Sequence, residues 1–233
     1  VKQVKSPPVI DGKLDDACWK NQPVITDMVL RGAKKRVFAK IQTETKIIYD
    51  DDAMYVGIKL NEPNVDKLLK KHTDYDGQLW WDDSVELYIE TGCSHQAYFK
   101  LMSNPLGTRA DWYGKYTPMG FQMFDWGVGA AWTVKAAVDK DFWSLEFRIP
   151  WSDLQVKRPN PGDVWSFEVV RFRYAGEKEY SSWNVGAVYS RPDRFGNIVF
   201  NGNVGDVEKL LTQRIVPVVG ANVKIYGDQG VLT

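Results

Sequence analysis

Histidine and cysteine are scarce in this chain, and their placement excludes several chemistries. The two histidines, His72 and His95, have no partner at zinc-ligand spacing. The two cysteines, Cys18 and Cys93, lie far apart and fit no metal motif, so they read as free buried thiols rather than a disulfide. Charge of one sign is also missing: Lys plus Arg equals Asp plus Glu at 30 each. That balance removes the broad positive field which draws nucleic acid or an anionic membrane, and both partners are discounted. No stretch approaches the roughly 18 apolar residues of a membrane helix, and no basic-then-apolar leader opens the sequence, as expected for a chain whose signal peptide has been removed. There is no G-x-S-x-G element and no phosphate-binding loop. Gly127-Val128-Gly129 starts like a dinucleotide fingerprint but lacks the third glycine and a surrounding βαβ unit, so it reads as a turn.

What the sequence does contain is aromatic side chains: 10 Trp, 11 Tyr and 10 Phe in 233 residues. Such rings bury large areas, and most of them are expected in a core, with some surplus to it. Hydrophobic residues make up 44% of the chain, enough for independent folding as a single domain over 1–233. Period-two alternation recurs while long helical periodicity is nearly absent, which predicts an all-β fold. Residues 37–49, the turn Asp50-Asp51-Asp52 and residues 54–60 read as a hairpin. Further strands are expected at 84–90, 96–102, 131–138, 143–149, 164–173, 180–183 and 197–200. Roughly eight or nine strands suffice for an antiparallel β-sandwich of two packed sheets, jelly-roll or immunoglobulin-like. Residues 65–71 suggest a short helix, 150–154 a helical turn, and 104–129 a long excursion without clear alternation. The tail 201–233 has weak strand character and no assigned place.

Acidic residues cluster at Asp82, Asp83, Glu86 and Glu90. A solvated strand face explains such acids, and so does hydrogen bonding to sugar hydroxyls, for which carboxylates accept and lysine or arginine donates. Alternation puts Val85, Leu87 and Ile89 on one side of residues 84–90, with Ser84, Glu86, Tyr88 and Glu90 opposite. In the next strand Ala97, Phe99 and Leu101 alternate with Tyr98, Lys100 and Met102. If the two strands pair, Glu86, Tyr88, Tyr98 and Lys100 share a face whose mixture of acid, base and tyrosine suits a polyol. Trp80-Trp81 stand at the mouth of this strand, where one ring is expected to be exposed and able to stack on the C–H face of a sugar. Trp19, Trp165 and the alternating Trp143, Leu145, Phe147 and Ile149 are assigned to the core.

These residues line up with a family. The opening from Val9 to Trp19, with Ile10-Asp11-Gly12, Leu14-Asp15 and Trp19, resembles the start of family 9 carbohydrate-binding modules and related DOMON-like sandwiches. The likeness continues through the hairpin from Ile47 to Val56, the run from Trp80 to Glu90, the W-S-L-E-F-R-I-P-W segment from Trp143, Ser182-Trp183, and Arg191 to Asn197, so that it spans residues 8–200. It implies a β-sandwich that binds oligo- or polysaccharide without altering it, clamping a sugar between two aromatic rings. The first ring maps onto Trp80. The second, a tryptophan in the family, maps onto Tyr189. The strand glutamate maps onto Glu86 and the ligand-binding arginine onto Lys100, a change that loses the planar fork. Tyr88, Tyr98 and Arg171 complete the candidate ligand-binding set, and no catalytic residue is assigned. The resemblance further implies structural calcium, for which Asp11, Asp15, Asp50 and Asp52 are candidates that turn chemistry explains equally well. It implies a secreted, periplasmic or cell-surface protein acting in polysaccharide use with a glycoside hydrolase partner or fused domain. The competing readings are a glycoside hydrolase and a haem-binding electron-transfer domain that recruits Met54, Met102, Met119, Met123 or the histidines.

Overall fold

The computed structural model describes residues 1–126 and 130–201. Gly127-Val128-Gly129 and nearly all of the tail 201–233 therefore lie outside the described residues. Among the described residues thirteen strands build two sheets, and they are joined by turns and short 3-10 segments.

The first sheet contains five strands in the order β1 (Lys2–Gln3), β3 (Thr43–Tyr49), β4 (Ala53–Asn61), β10 (Phe142–Pro150) and β9 (Thr133–Val138). The second has eight strands, ordered β2 (Val29–Leu30), β12 (Glu179–Ser182), β11 (Val164–Arg173), β5 (Ser84–Glu90), β6 (Ala97–Ser103), β7 (Arg109–Thr117) and β8 (Gly120–Asp125), with β13 (Gly196–Val199) also on β11. Pairing is antiparallel except between β1 and β3. The sheets pack face to face, as alternation predicts. Ile47, Val56, Ile58, Leu145 and Phe147 of one meet Val85, Leu87, Leu101, Phe167 and Val169 of the other in a single apolar core. Trp143, Ile149 and Trp165 belong to the same core.

The opening motif covers the outside of the five-stranded sheet. Trp19 packs with Ile48 and Tyr55, and its indole N–H donates to Glu146 Oε1 at 2.8 Å. The Asp11 and Gly12 amides donate to Glu146 Oε2 at 3.1 and 2.9 Å, and Ser144 Oγ donates to the Gly12 carbonyl at 2.6 Å. Ser144 and Glu146, on the face of β10 opposite Leu145, are buried for that reason.

Several boundaries differ from the sequence reading. Strand β3 starts at Thr43 because Gln42 ties the preceding loop down, donating to the Ala39 carbonyl at 2.8 Å and accepting from the Met28 amide at 2.8 Å. Only Val65–Lys67 of the expected helix is helical, as one 3-10 turn. The expected excursion at 104–129 instead carries the β7–β8 hairpin, turned at Thr117–Gly120 with Gly120 at φ 98°. Its alternation is hidden because the face of β7 turned toward the core carries Asp111, buried where Trp132 Nε1 donates to it at 2.7 Å and Tyr75 at 2.6 Å.

Strands β12 and β13 occupy successive stretches of the same edge of β11, residues 170–173 and 164–167. The connection between them, residues 183–195, must leave the sheet plane. Glu168 anchors it, accepting from the Trp183 amide at 2.7 Å and from Asn184 Nδ2 at 3.1 Å. Phe195 ends it, stacked on Tyr88 with ring centroids 5.1 Å apart.

Candidate functional site

The outer face of the eight-stranded sheet carries a second aromatic cluster, separate from the core: Leu79, Tyr88, Tyr98, Met102, Val170, Phe172 and Phe195, with Trp80, Trp112, Tyr174 and Tyr180 half-buried against it. An outer sheet face ordinarily meets water and is polar. This one bears rings because strand register collects them. Glu86 stands opposite Met102 and Val170, and Tyr88 opposite Lys100, which in turn stands opposite Trp112.

Glu86 and Lys100 form the polar centre. Lys100 Nζ lies 2.6 Å from Glu86 Oε1 and 4.6 Å from the Trp112 ring centroid. The Tyr88 hydroxyl donates to the other oxygen of Glu86. Burial, with the Glu86 charge beside it, raises the Tyr88 phenol well above its ordinary value, so Tyr88 is a neutral donor. Its ring is sealed beneath Phe195 and edge-on to Tyr98, 5.2 Å away. Tyr98 is likewise buried, stacked on Phe121 at 5.4 Å, with its hydroxyl donated to the Tyr189 carbonyl. Tyr88 and Tyr98 thus floor the site and aim Glu86 and the 183–195 loop.

Rings rim this centre. Trp80, in the 3-10 turn Leu79–Trp81, has its ring 6.3 Å from that of Trp112 at a 50° tilt. Trp81 is the exposed member of the pair, while Trp80, the ring that the resemblance assigns to the sugar, is half-buried against the outer cluster. Tyr174 fixes the turn by donating its hydroxyl to the Trp80 carbonyl at 2.7 Å, and that hydroxyl meets Tyr180's at 2.9 Å. Tyr189 is half exposed at 51%, on the loop 183–195. Among the described residues the ring that Trp80 approaches is Trp112.

Asp82 and Asp83 act beneath this rim. Asp82 accepts from the Lys71 and His72 amides, both at 3.0 Å, and from Asn104 Nδ2 at 2.9 Å. Asp83 accepts from the Leu69 and Tyr174 amides at 2.8 and 2.9 Å. Both carboxylates pin loops to the sheet end.

Arg171 is not brought to this site. It pairs in register with Val85, on the side of β11 that faces the other sheet, and its guanidinium donates to Glu62 Oε2 at 3.2 Å and to the Asn61 carbonyl at 3.0 Å. Burial pulls its pKa down to about 10, and Arg173 shares Glu62 at 2.6 Å. The arrangement is a buried structural ion cluster. The calcium candidates are not gathered either. Asp50 accepts from the Asp52 and Ala53 amides at 2.9 Å each and from the Tyr55 hydroxyl at 2.9 Å, while Asp11 accepts from the Lys13 amide at 2.9 Å. Among the described residues no three metal-binding side chains converge. The turn reading accounts for Asp11 and Asp50, whose carboxylates accept from neighbouring amides.

Trp112, Tyr174 and Tyr180 were not singled out by the sequence reading. The continued alternation of Val170, Phe172 and Tyr174 against Val169, Arg171 and Arg173 was the available signal for the second of these.

The molecule is thus an antiparallel sandwich with one ring-lined outer face and a largely buried ion pair at the centre of that face. The family model described as "Carbohydrate family 9 binding domain-like" matches residues 10–203, and the chain belongs to that family. Among solved structures it is similar to a carbohydrate-binding module of family 9 from Caldicellulosiruptor kristjanssonii in complex with glucose, at 19% identity and TM-score 0.64, covering 87% of this chain and 96% of that one. The cellotriose complex of a module of this family from the same organism aligns at 19% identity and TM-score 0.59, covering 87% and 94%. A putative carbohydrate-binding protein from Bacteroides uniformis aligns at 14% identity and TM-score 0.66, covering 86% and 97%. No curated protein matches the sequence.

Proposed function

We propose that this domain binds carbohydrate at the outer face of its eight-stranded sheet and leaves it chemically unaltered. Trp80 and Trp112 offer ring faces to the apolar side of a sugar, while Glu86 accepts from its hydroxyls and Lys100 donates to them. Tyr189 supplies a further ring from the loop 183–195.

The observation that carries this reading is the Glu86–Lys100 pair set among those rings, with side chains only 4% and 12% exposed. A buried ion pair adds little net stability over apolar residues of similar volume, because desolvation offsets the attraction. Its presence on a face that could be simply apolar or simply solvated is accounted for by a polyol ligand. Lys100 retains N–H donors beyond the one given to Glu86, and a carboxylate oxygen accepts more than one bond.

The acids around the site also favour binding over hydrolysis, which needs two carboxyl groups flanking the scissile bond. Glu86 is held by Lys100 and Tyr88, and Asp82, Asp83 and Glu168 are held by backbone and amide donors. Family membership and the sugar complexes of similar modules support the reading. On the same reading the domain works outside the cytoplasm, secreted, periplasmic or at the cell surface, in polysaccharide use beside or fused to a glycoside hydrolase.

Titration of the protein with glucose and cello-oligosaccharides, followed by calorimetry and tryptophan fluorescence, tests the proposal. Saturable binding that perturbs emission is expected. An immobilised glycan panel on which nothing is retained would overturn it.

A further inference from the structure

The ring-lined face does not end at Glu86. In the register that pairs Leu30 with Ser181, the next residues outward are Arg31 and Tyr180, joined by the Arg31 amide donating to the Tyr180 carbonyl at 2.9 Å. Phe172 stands beside Tyr180 and opposite Ser84 of β5. A row from Arg31 through Tyr180 and Phe172 to Ser84 therefore runs across the sheet next to the row that holds Glu86. Beyond Tyr180, at the edge where the two sheets part, lies a groove of about 640 Å³, lined by Arg31, Lys178 and Tyr180 from the outer side and by Leu30, Arg173 and Glu179 from the inward side. That volume suits a small ligand or one or two sugar rings.

Charge in this groove is unbalanced once the partners are assigned. Glu177 is paired with Lys40 at 2.8 Å. Glu179 accepts from the Lys40 and Ile41 amides at 2.8 and 3.2 Å and keeps its charge on the inward wall, where Arg173, committed to Glu62, feels it. Two cations are left facing rings instead of acids: Arg31, with its guanidinium 5.3 Å over Phe172, and Lys178, with its ammonium 4.9 Å over Tyr180 and 5.1 Å over Tyr174. The loop that continues from Arg31, closed by the Leu30 amide donating to the Val37 carbonyl at 2.7 Å, carries the exposed Lys34, Lys35 and Arg36. In a chain with no net charge, this is a local concentration of positive charge.

We propose that this groove extends the sugar site to an acidic saccharide, taking a uronic acid residue whose carboxylate lies between Arg31 and Lys178 while its ring meets Tyr180. The inference rests on the carbohydrate reading of the neighbouring face. A uronate carries its carboxylate directly on the sugar ring, so a cation held against the aromatic that receives the ring is within reach of it. Arginine's planar fork matches the two carboxylate oxygens. A nucleic acid would need an extended basic surface, whereas here Glu177 and Glu179 share the groove with the cations and Lys100 is paired with Glu86.

The test compares a short oligogalacturonide with a cello-oligosaccharide of equal length, titrated into the intact protein at low and high NaCl. At low salt the acidic oligomer is expected to bind about tenfold more tightly, and the advantage to fade near 0.5 M salt as screening shortens the field's reach. Arg31→Gln with Lys178→Gln should remove that advantage while leaving neutral binding within about twofold. If Arg31→Gln lowers folding stability, a triple Lys34→Gln, Lys35→Gln, Arg36→Gln variant on the exposed loop should cut the salt-dependent part alone. Neutral binding without an acidic advantage would overturn this inference and leave the sugar site standing. An acidic advantage that persists in the Arg31 and Lys178 variants would also overturn it. A sulfated glycan or an oligonucleotide of equal charge binding as tightly as the uronate would show a general polyanion patch and likewise overturn it. Binding of neither oligosaccharide would overturn this inference, and retention of nothing on the wider glycan panel would overturn the carbohydrate reading as well.

Discussion

Lys100 Nζ sits 2.6 Å from Glu86 Oε1 with the Trp112 ring 4.6 Å away, so one ammonium joins the acid of the site to its aromatic wall. This geometry separates binding from folding in a way single variants alone do not. Lys100→Met strands the Glu86 carboxylate in a nearly dry site and should lower unfolding free energy by about 3–5 kcal/mol. Glu86→Gln should cost sugar binding about 1.5–3 kcal/mol through loss of charge-assisted bonds. The double variant leaves no buried charge, so it should regain most of the stability and still fail to bind. Denaturant unfolding and calorimetry on the four proteins check this, and a double variant that binds like the original would remove Glu86 and Lys100 from the site.

The tryptophans should divide by face. Trp80→Ala and Trp112→Ala remove half-exposed rings of the outer cluster and are each expected to weaken sugar binding by about 2 kcal/mol or more, with a smaller effect on unfolding. Trp19 is buried under the opposite sheet and hydrogen-bonded to Glu146. Trp19→Ala should cost about 3–5 kcal/mol of stability, and what remains folded should bind sugar normally. Retention of full affinity in both Trp80→Ala and Trp112→Ala would place the stacking rings elsewhere.

Strands β5 and β11 were readable to the residue from sequence, because one face of each enters the core, with a clean period of two in β5 and a β-rich apolar run in β11 whose alternation breaks at Val170. The shared face of Glu86, Tyr88, Tyr98 and Lys100 followed from that period and one assumed pairing, which the register supplies. Hidden from that reasoning was whatever tertiary contacts inverted. The hairpin of β7 and β8 was obscured because Asp111 is buried on the inward face by Trp132 and Tyr75, and with it went Trp112. Tyr88 and Tyr98, read as ligand contacts, lie beneath Phe195 and Phe121, which arrive from distant segments. Arg171 looked like a binding cation, but its register with Val85 sends it inward to Glu62.

The loop that carries Tyr189 should respond to pH through Glu168. Burial pushes this carboxyl from 4.5 up to about 8, against the hydrogen bonds it accepts from Asn184 and from the Trp183, Asn184 and Val169 amides. Between those two values the folded protein holds a proton that the unfolded chain has released, so stability falls as pH rises through the window and levels off above it. Melting temperature measured from pH 4.5 to 8.5 should decline more steeply in the original protein than in Glu168→Gln, which cannot titrate there. Equal slopes would assign the pH dependence to other groups.

The final prediction concerns the opening motif, whose glycine is required by geometry. Gly12 has φ 91°, a left-handed conformation that residues with a Cβ rarely adopt. A Cβ there would lie 2.5 Å from the Ala136 carbonyl carbon and 2.8 Å from the Ala137 nitrogen, both backbone atoms of β9 that cannot swing aside. The same residue donates to Glu146 Oε2 and accepts from Ser144 Oγ, so any retreat of Gly12 strips partners from two buried polar groups of β10. Gly12→Ala should therefore cost about 2 kcal/mol or more, combining backbone strain with lost bonds. Its effect should be on folding alone, since this segment covers the five-stranded sheet and the sugar face belongs to the other. Thermal unfolding should show a clear drop, and the folded fraction should keep the original sugar affinity. A Gly12→Ala protein as stable as the original would mean that the segment does not hold this backbone against β9.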